Sequence, residues 1–183
     1  MYFLSSEKAT ITKDLERWHD CCQISHIKKS AHIRTLVFLI LNFKEFRNVF
    51  LLRCGILGKL LLYLPKEPSL HIYTKSKDFG AGTFIQHGFS TIITADHIGE
   101  NCWINQQVTI GFNNSRTRGF GKPWIGDNVR ISAGAKVCGP IKIGSNATIG
   151  LNAVVVKDVP ENSIIIPSPM QIKYPQENTF SKF

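Results

Sequence analysis

The feature that most constrains the fold is a branched apolar residue that recurs every six positions in the second half of the chain. Helices and simple strands do not explain this period, because they repeat at about 3.6 and 2 residues. A period of six indicates a β-solenoid, in which three short strands complete each turn and the branched residues point into the centre of a triangular prism. The branched positions are Ile98, Ile104, Ile110, Ile125, Ile131, Val137, Ile143, Ile149 and Val155.

Small residues occupy fixed places between the branched ones. Glycine and asparagine tolerate the left-handed backbone conformation that the corners of such a coil demand. The position after a branched residue is often small: Gly99, Asn105, Gly111, Gly126, Ser132, Gly144 and Gly150. The position four after each branched residue is small or branched: Cys102, Val108, Val129, Ala135, Ala147 and Ala153.

Residues 12–64 have a different pattern, which predicts helices. Thr12 is a candidate N-cap, and the apolar block at 36–41 is far shorter than the roughly 20 residues that span a bilayer. Spacings of three and four then predict an apolar helix face with basic residues elsewhere on the helix. The apolar residues are Phe43, Phe46, Phe50, Cys54 and Leu57, and the basic ones are Lys44, Arg47 and Arg53. The predicted domains are a helical N-terminal segment (1–68), a β-helix (69–173) with a protruding loop (112–124), and a C-terminal tail (174–183).

The chain is basic, with 22 Lys and Arg residues against 13 Asp and Glu residues and a formal charge of +9. Such a charge favours a polyanionic partner without choosing among the kinds of partner. No zinc-finger spacing, basic heptad helix or aromatic RNA-binding signature occurs, so we expect no nucleic-acid partner. Two interpretations of the helical segment stay open: a cap that covers the β-helix or joins subunits, and a basic surface that rests on the inner face of the membrane.

The five cysteines form no CxxC pair and have no histidine at ligand spacing, which predicts reduced thiols and no metal site. The first ten residues lack the basic start, apolar stretch and cleavage site of a signal peptide. We therefore expect a cytoplasmic protein.

The hexads IGENCW, IGDNVR, ISAGAK and IGSNAT resemble the repeat of hexapeptide acyltransferases with a left-handed parallel β-helix. The resemblance covers about residues 80–172. HGFSTII, QQVTIG and VVVKDVPENS are most similar to the serine acetyltransferase branch, which also contains many O-acetyltransferases that act on sugars and capsular polysaccharides. The resemblance implies a homotrimer that uses acetyl-CoA, with active sites between subunits.

The resemblance also implies that His87 is the catalytic base. The chemistry supports this role, because a hydroxyl is a poor nucleophile until a neutral imidazole takes its proton. Neither a covalent enzyme intermediate nor a metal is required. The structural alternative for His87 is a histidine that is hydrogen-bonded at a coil corner. For His97 we prefer a structural role, because it precedes the inward Ile98 and the alternation of side chains along a strand directs it outward.

Departures from the family pattern bear on the acceptor. Gln86 stands where serine acetyltransferases carry an acid, Lys122 lies in a Gly-Lys-Pro sequence where they carry Arg-His-Pro, and no aspartate matches near Ile72, for which Asp78 is a weak substitute. An amino acid would lose its charge partners, and burying it without them is costly. We therefore predict a sugar or polysaccharide acceptor, in surface-glycan synthesis. The predicted acceptor-binding residues are Gln86, Gln107, Arg116, Arg118 and Lys122, of which the loop cations would suit an acidic glycan or the cofactor phosphates.

For acetyl-CoA, the resemblance implies a groove beside the later coils. The implied contacts are Gly111, Ala133 and Leu151, and Lys157 is a candidate for the phosphates of CoA. The closing element departs from the family, since Pro167, Ser168, Pro169 and Met170 replace Gly-x-Pro-Ala. Two alternatives stay open: serine O-acetyltransferase of cysteine synthesis, and a non-catalytic solenoid scaffold.

Overall fold

The computed structural model describes residues 7–60, 65–115 and 119–167 of the chain. Three helices come first, α1 (Lys8–Cys21), α2 (His32–Asn42) and α3 (Lys44–Leu60). The strands of the described residues follow in this order: β1 (Leu70–Ile72), β2 (Phe84–Ile85), β3 (Thr91–Ile93), β4 (His97–Ile98), β5 (Trp103–Ile104), β6 (Thr109–Gly111), β7 (Asn113–Ser115), β8 (Gly119–Gly121), β9 (Trp124–Ile125), β10 (Arg130–Ile131), β11 (Lys136–Cys138), β12 (Lys142–Ile143), β13 (Thr148–Ile149), β14 (Val154–Val155) and β15 (Ile164–Ile165).

Three parallel sheets form the faces of a triangular prism. Face A is β1-β3-β6-β11-β14, face B is β4-β9-β12, and face C is β2-β5-β10-β13-β15. Single bridges from Phe79 to Ile98 and from Ile143 to Val159 extend face B at both ends. The chain passes through A, B and C in turn, five times, so each coil stacks on the one before it. This is the predicted left-handed parallel β-helix.

One inward side chain per face and coil fills the prism. In face C, Ile85, Ile104 and Ile131 lie in register. All nine branched residues that the hexad pattern directs inward are 0 to 5% exposed, which confirms that part of the prediction. Full burial of such a side chain contributes about 1.5–3 kcal/mol. These columns are therefore the main source of stability in the β-helix.

Asparagines make the corner between faces B and C. Asn101, Asn128, Asn146 and Asn162 have φ values of 56° to 61°, in the left-handed region. Their amides form a ladder, because Asn128 Nδ2 donates to Asn146 Oδ1 at 3.2 Å and Asn146 Nδ2 donates to Asn162 Oδ1 at 3.0 Å. Asparagine adopts this conformation at a lower cost than most residues, which explains its recurrence at this corner.

The interruption in the repeat forms a hairpin that leaves the prism after Gly111. Strands β7 and β8 pair antiparallel, and the chain re-enters face B at Trp124. Phe112 and Phe120 are both exposed, and their ring centroids are 5.2 Å apart. Arg116 and Arg118, predicted as binding residues on this loop, lie outside the described residues, as do Ser168, Pro169, Met170 and the predicted tail.

The helices pack on the first coil and share one hydrophobic core with it. Trp18 of α1 contacts Phe84 edge to face, with ring centroids 4.7 Å apart, and its indole Nε1 donates to the carbonyl of Thr83 at 3.0 Å. A buried ion pair adds to this contact, since Arg53 of α3 donates to Asp14 of α1 at 3.0 Å. No helix in the described part of the chain is long and apolar enough to cross a membrane.

Two expectations for the helices are wrong. α1 begins at Lys8, so Thr12 lies inside the helix, where its hydroxyl donates to the carbonyl of Lys8 at 2.9 Å. Arg47 and Arg53, expected away from the apolar face, are buried. Carbonyl groups outside α3 accept their hydrogen bonds, Ile40 for Arg47 and Ser76 for Arg53, which offsets the cost of removing their charges from water.

Candidate active site

His87 lies in a bulge at the corner between faces C and A, which we call the C–A corner. In the first coil eight positions separate the inward Ile85 from the inward Ile93, whereas six separate Ile104 from Ile110 in the next coil. Ser90, at φ 53°, takes the corner position that Gln107, at φ 59°, takes one coil later. The two extra positions are therefore His87 and Gly88. They place the His87 side chain outside the prism, where it is exposed.

The bulge has a strained and closely packed backbone. His87 has φ 51°, a conformation that costs an ordinary L-residue about 1–2 kcal/mol. Its carbonyl accepts from the amide of Phe89 at 2.7 Å, which closes a tight turn. A Cβ on Gly88 would lie 2.9 Å from Ile85 Cγ2 and 3.0 Å from Leu70 Cδ2, so only glycine fits without a shift of neighbouring atoms. Backbone strain of this kind occurs often at functional sites.

Two side chains of the helical segment reach this corner, and the sequence did not point to them. Glu45 Oε1 accepts from the amide of Gly88 at 3.2 Å. Asn48 binds the carbonyls of Glu67 and Leu70, at the start of face A. In the sequence, Glu45 resembles any acidic residue in the first turn of a helix, so the sequence does not predict its contact with Gly88.

Gln86 lies directly before the bulge and is engaged within the chain. Its Oε1 accepts from Trp103 Nε1 at 3.2 Å and from Asn105 Nδ2 at 2.9 Å. Arg130 lies over the Trp103 ring, 4.5 Å from its centroid, and completes this part of face C. Because the carbonyl end of Gln86 is occupied, any role in binding an acceptor falls to its NH₂ group.

Four of the predicted site residues lie along the same prism edge. The corners are linked by backbone hydrogen bonds, from Gln107 to Phe89 at 3.0 Å, from Gly134 to Gln106 at 3.1 Å and from Asn152 to Ala133 at 2.9 Å. The predicted residues on this edge, in order along the prism axis, are His87, Gln107, Ala133 and Leu151. These four residues form a continuous strip that begins at the imidazole of His87.

Three other described site residues lie on the opposite edge of face A, which we call the A–B corner. Lys122 is here, 3.8 Å from Asp96 through its Nζ, and Gly111 accepts from the amide of Gly139 at 3.0 Å. Lys157 follows β14 and is exposed. A face of about six residues at roughly 3.3 Å each is up to roughly 20 Å wide. One chain therefore does not bring Lys122 to its own His87.

Asp78 and His97 lie away from the C–A corner. Asp78 ends a short 3₁₀ turn next to Phe79, which bridges to face B. His97 is on the outer side of face B, where its ring stacks on Trp124 with centroids 4.9 Å apart. Asp78 is thus not placed to orient His87, and the packing of His97 agrees with the structural interpretation preferred for it.

Two of the thiols, those of Cys22 and Cys102, are poor nucleophiles. Burial raises the pKa of Cys102 to about 12, and burial, with Cys21 and Glu45 nearby, raises that of Cys22 to about 12. Both stay protonated at neutral pH, and the thiolate is the reactive form. Among the described residues, no group of three or more His, Cys, Asp or Glu side chains could hold a metal ion.

Comparisons with known proteins agree with this architecture. Residues 122–157 match the bacterial transferase hexapeptide family (six repeats). A serine acetyltransferase of Staphylococcus aureus is 47% identical over 94 residues, which are 51% of this chain and 44% of that protein. A serine acetyltransferase of Mycobacterium tuberculosis is 44% identical over 95 residues, 51% of this chain and 41% of that protein. The chain thus matches less than half the length of these curated relatives.

Solved structures extend the likeness to the helices. A serine acetyltransferase of Neisseria gonorrhoeae, solved in complex with serine, aligns with a TM-score of 0.61 and 25% identity over 90% of this chain and 68% of that one. Serine acetyltransferase 1 of Entamoeba histolytica, in complex with L-cysteine, aligns with a TM-score of 0.64 and 27% identity over 88% of this chain and 63% of that one.

These relatives correct one prediction from the sequence. The substitutions at Gln86 and Lys122 favoured a sugar or polysaccharide acceptor, whereas the similar proteins are serine acetyltransferases. That acceptor prediction is wrong. It inferred the acceptor from the absence of single charged side chains, although other residues of the site come from distant parts of the fold. The hexad repeat and the prism agree with the matched family, and residues 122–157 are similar to the bacterial hexapeptide-repeat transferases.

Proposed function

We propose that this chain is an acetyl-CoA-dependent O-acetyltransferase whose acceptor is the hydroxyl of serine. The observation that carries the proposal is the exposed imidazole of His87, on a strained bulge of a β-helix similar to a serine acetyltransferase solved with serine. The cytoplasmic location stays a prediction.

In the proposed reaction, His87 takes the proton of the serine hydroxyl while that oxygen attacks the thioester carbonyl of acetyl-CoA. A new C–O bond forms, and the carbonyl oxygen carries the negative charge of the tetrahedral intermediate. Collapse of the intermediate breaks the C–S bond, and His87 returns the proton to the sulfur of CoA. General base catalysis by a positioned imidazole contributes typically 10²–10⁴-fold to the rate.

We further propose that three copies assemble around a threefold axis and that each seam contains one active site. Support comes from the two half-sites at opposite edges of face A, because a neighbouring copy can bring its A–B corner to the C–A corner of the first. Exposed apolar side chains on face A and its edges also need a cover: Phe89, Ile92, Leu151, Val154 and Val156.

In this assembly the cations of the A–B corner meet the acceptor and the cofactor at the seam. Lys122 of one copy is the candidate partner for the carboxylate of serine bound near His87 of the next copy. Lys157 is the candidate for the CoA phosphates, and Gly111, Ala133 and Leu151 are candidates for pantetheine contacts. Arg116 and Arg118 belong to the same loop, outside the described residues.

The experiment is a measurement of CoA release from acetyl-CoA and L-serine. Chromatographic detection is preferable, because a partly exposed cysteine of the chain such as Cys138 would react with thiol reagents. We expect serine-dependent release, none with O-methylserine, which has no hydroxyl proton, and a loss of about 10²–10⁴-fold in kcat for His87→Asn. His97→Asn, on face B, is the matched control and should keep its activity. Absence of serine-dependent release, or full activity of His87→Asn, would overturn the proposal.

Mixed assemblies test the seam. His87→Asn and Lys122→Ala chains, each of low activity alone, should recover activity when co-expressed, because about one quarter of randomly formed seams combine an intact His87 with an intact Lys122. No recovery in a mixture shown to contain both chains would contradict a site shared between copies.

A further inference from the structure

Two amides at the His87 bulge donate to side chains instead of to carbonyls of the coil ladder. On either side of the bulge the ladder is regular, since Gln86 donates to the carbonyl of Ile104 at 2.9 Å and Ile92 donates to that of Val108 at 3.0 Å. Between them, the amides of Gly88 and Ser90 donate to the side chains of Glu45 and Ser69 instead. The conformation of the bulge therefore depends on groups outside the coil ladder.

We propose that Glu45 is a positioning residue for His87. The Glu45 carboxylate accepts from the Gly88 amide at 3.2 Å, one peptide unit from the imidazole-bearing residue. Its Cγ would lie 3.1 Å from a Cβ built on Gly88, so the side chain packs directly against the bulge. The contact holds His87 at φ 51°, a conformation that the chain would otherwise leave.

A second connection from the same helix holds the other end of the bulge. Asn48, one turn after Glu45, donates to the carbonyls of Glu67 and Leu70 at 3.1 and 3.2 Å and accepts from the amide of Glu67 at 2.9 Å. Ser69 then donates to Glu67 Oε1 at 2.6 Å and accepts from the amide of Ser90 at 3.0 Å. Residues at i and i+3 share one face of a helix, so this face of α3 supports both ends of the bulge.

Position matters greatly for a general base. A displacement of about 1 Å in a reacting group lowers a catalytic rate by about 10²-fold. The helical segment would therefore do more than cover the first coil, because α3 would set the direction in which the imidazole meets the acceptor. This role rests on the proposed function for its catalytic consequence, whereas the placement of the imidazole can be tested without any activity.

The test compares Glu45→Ala with Glu45→Gln, which keeps an acceptor oxygen at the same distance along the side chain. Histidine ring spectra by NMR resolve the six histidines, and the His87 resonance is assigned by its loss in His87→Asn. We expect Glu45→Ala to shift or broaden the His87 resonance selectively and to lower kcat about 10–100-fold with a smaller change in KM. Glu45→Gln should restore both. Glu100→Ala, which removes an exposed acid paired with Lys13, is the control that should change neither.

Two further results separate the possible failures. If Glu45→Ala unfolds, Ser69→Ala removes the acceptor of the Ser90 amide from the other end of the bulge and should produce the same selective change at His87. An unchanged His87 resonance in a folded Glu45→Ala protein would overturn the positioning role, whatever the activity. A selective change of that resonance in a protein that never acetylates serine would leave the positioning role standing and refute the proposed function instead.

Discussion

Removal of Asp14 tests how the helices are held on the first coil. The side chains of Asp14 and Arg53 are 2% and 0% exposed, and their charged groups are 3.0 Å apart. Asp14 Oδ1 also accepts from the amide of Gly82 at 2.7 Å. Arg53 also donates to the carbonyls of Ser76 and Gly80, each at 2.9 Å, and of Phe79. The pair thus joins two helices to the coil through groups that have no access to water.

The expected cost follows from the charge that is left behind. Asp14→Ala leaves the Arg53 guanidinium buried without its carboxylate, and breaking a buried ion pair in this way costs about 3–5 kcal/mol. The remaining carbonyl acceptors stabilise the guanidinium in part, so we expect about 3 kcal/mol. In a chain of this size 1 kcal/mol shifts Tm by roughly 2–4 °C. The predicted fall in Tm is therefore roughly 6–12 °C.

The assay is urea and thermal unfolding of Asp14→Ala, Arg53→Met and the double variant Asp14→Ala with Arg53→Met. The double variant buries no charge, so it should lose less stability than the sum of the two single changes, by about 2 kcal/mol or more. It should stay below the wild type, because the carbonyls of Ser76, Phe79 and Gly80 lose their donor. Additive effects, or a loss below about 1 kcal/mol for Asp14→Ala, would refute the reasoning, because an ion pair in contact with water contributes that little to stability.

Three other predictions test the packing and the backbone of the protein. Gly88→Ala should cost about 1–3 kcal/mol, because its Cβ would lie 2.9 Å from Ile85 Cγ2, and it should also lower kcat; an unchanged unfolding midpoint would contradict the packing. Asn146→Ala should cost about 1–2 kcal/mol for its φ of 61°, and Asn146→Gly should cost less; equal losses in urea unfolding would show that the ladder, not the backbone, dominates. Cys22 and Cys102 should resist iodoacetamide at pH 8 in the folded protein, because a pKa of about 12 leaves almost no thiolate; rapid labelling detected by peptide mass spectrometry would contradict the desolvation that raises these pKa values.

The hexad period predicted the β-helix and its inward residues because that information is local. A single hexad supplies one strand and one corner, so the direction of Ile125 or Ile143 follows from its position in the repeat. The first coil is less regular, because seven, six and eight positions separate Ile72, Phe79, Ile85 and Ile93 in turn. The two extra positions at the end of that series are the bulge that carries His87.

The sequence by itself determined the solenoid and the columns that fill it, since both follow from local periodicity. It also predicted His87 as the base, from resemblance in short motifs, and that role stays a prediction. Only the tertiary structure decided that Lys122 and His87 lie on opposite edges of face A, that Arg53 is buried against Asp14, and that Glu45 reaches the amide of Gly88. The last two of these are contacts between residues 39 and 43 positions apart. No local pattern encodes such pairs, because they arise only when the helices pack on the first coil.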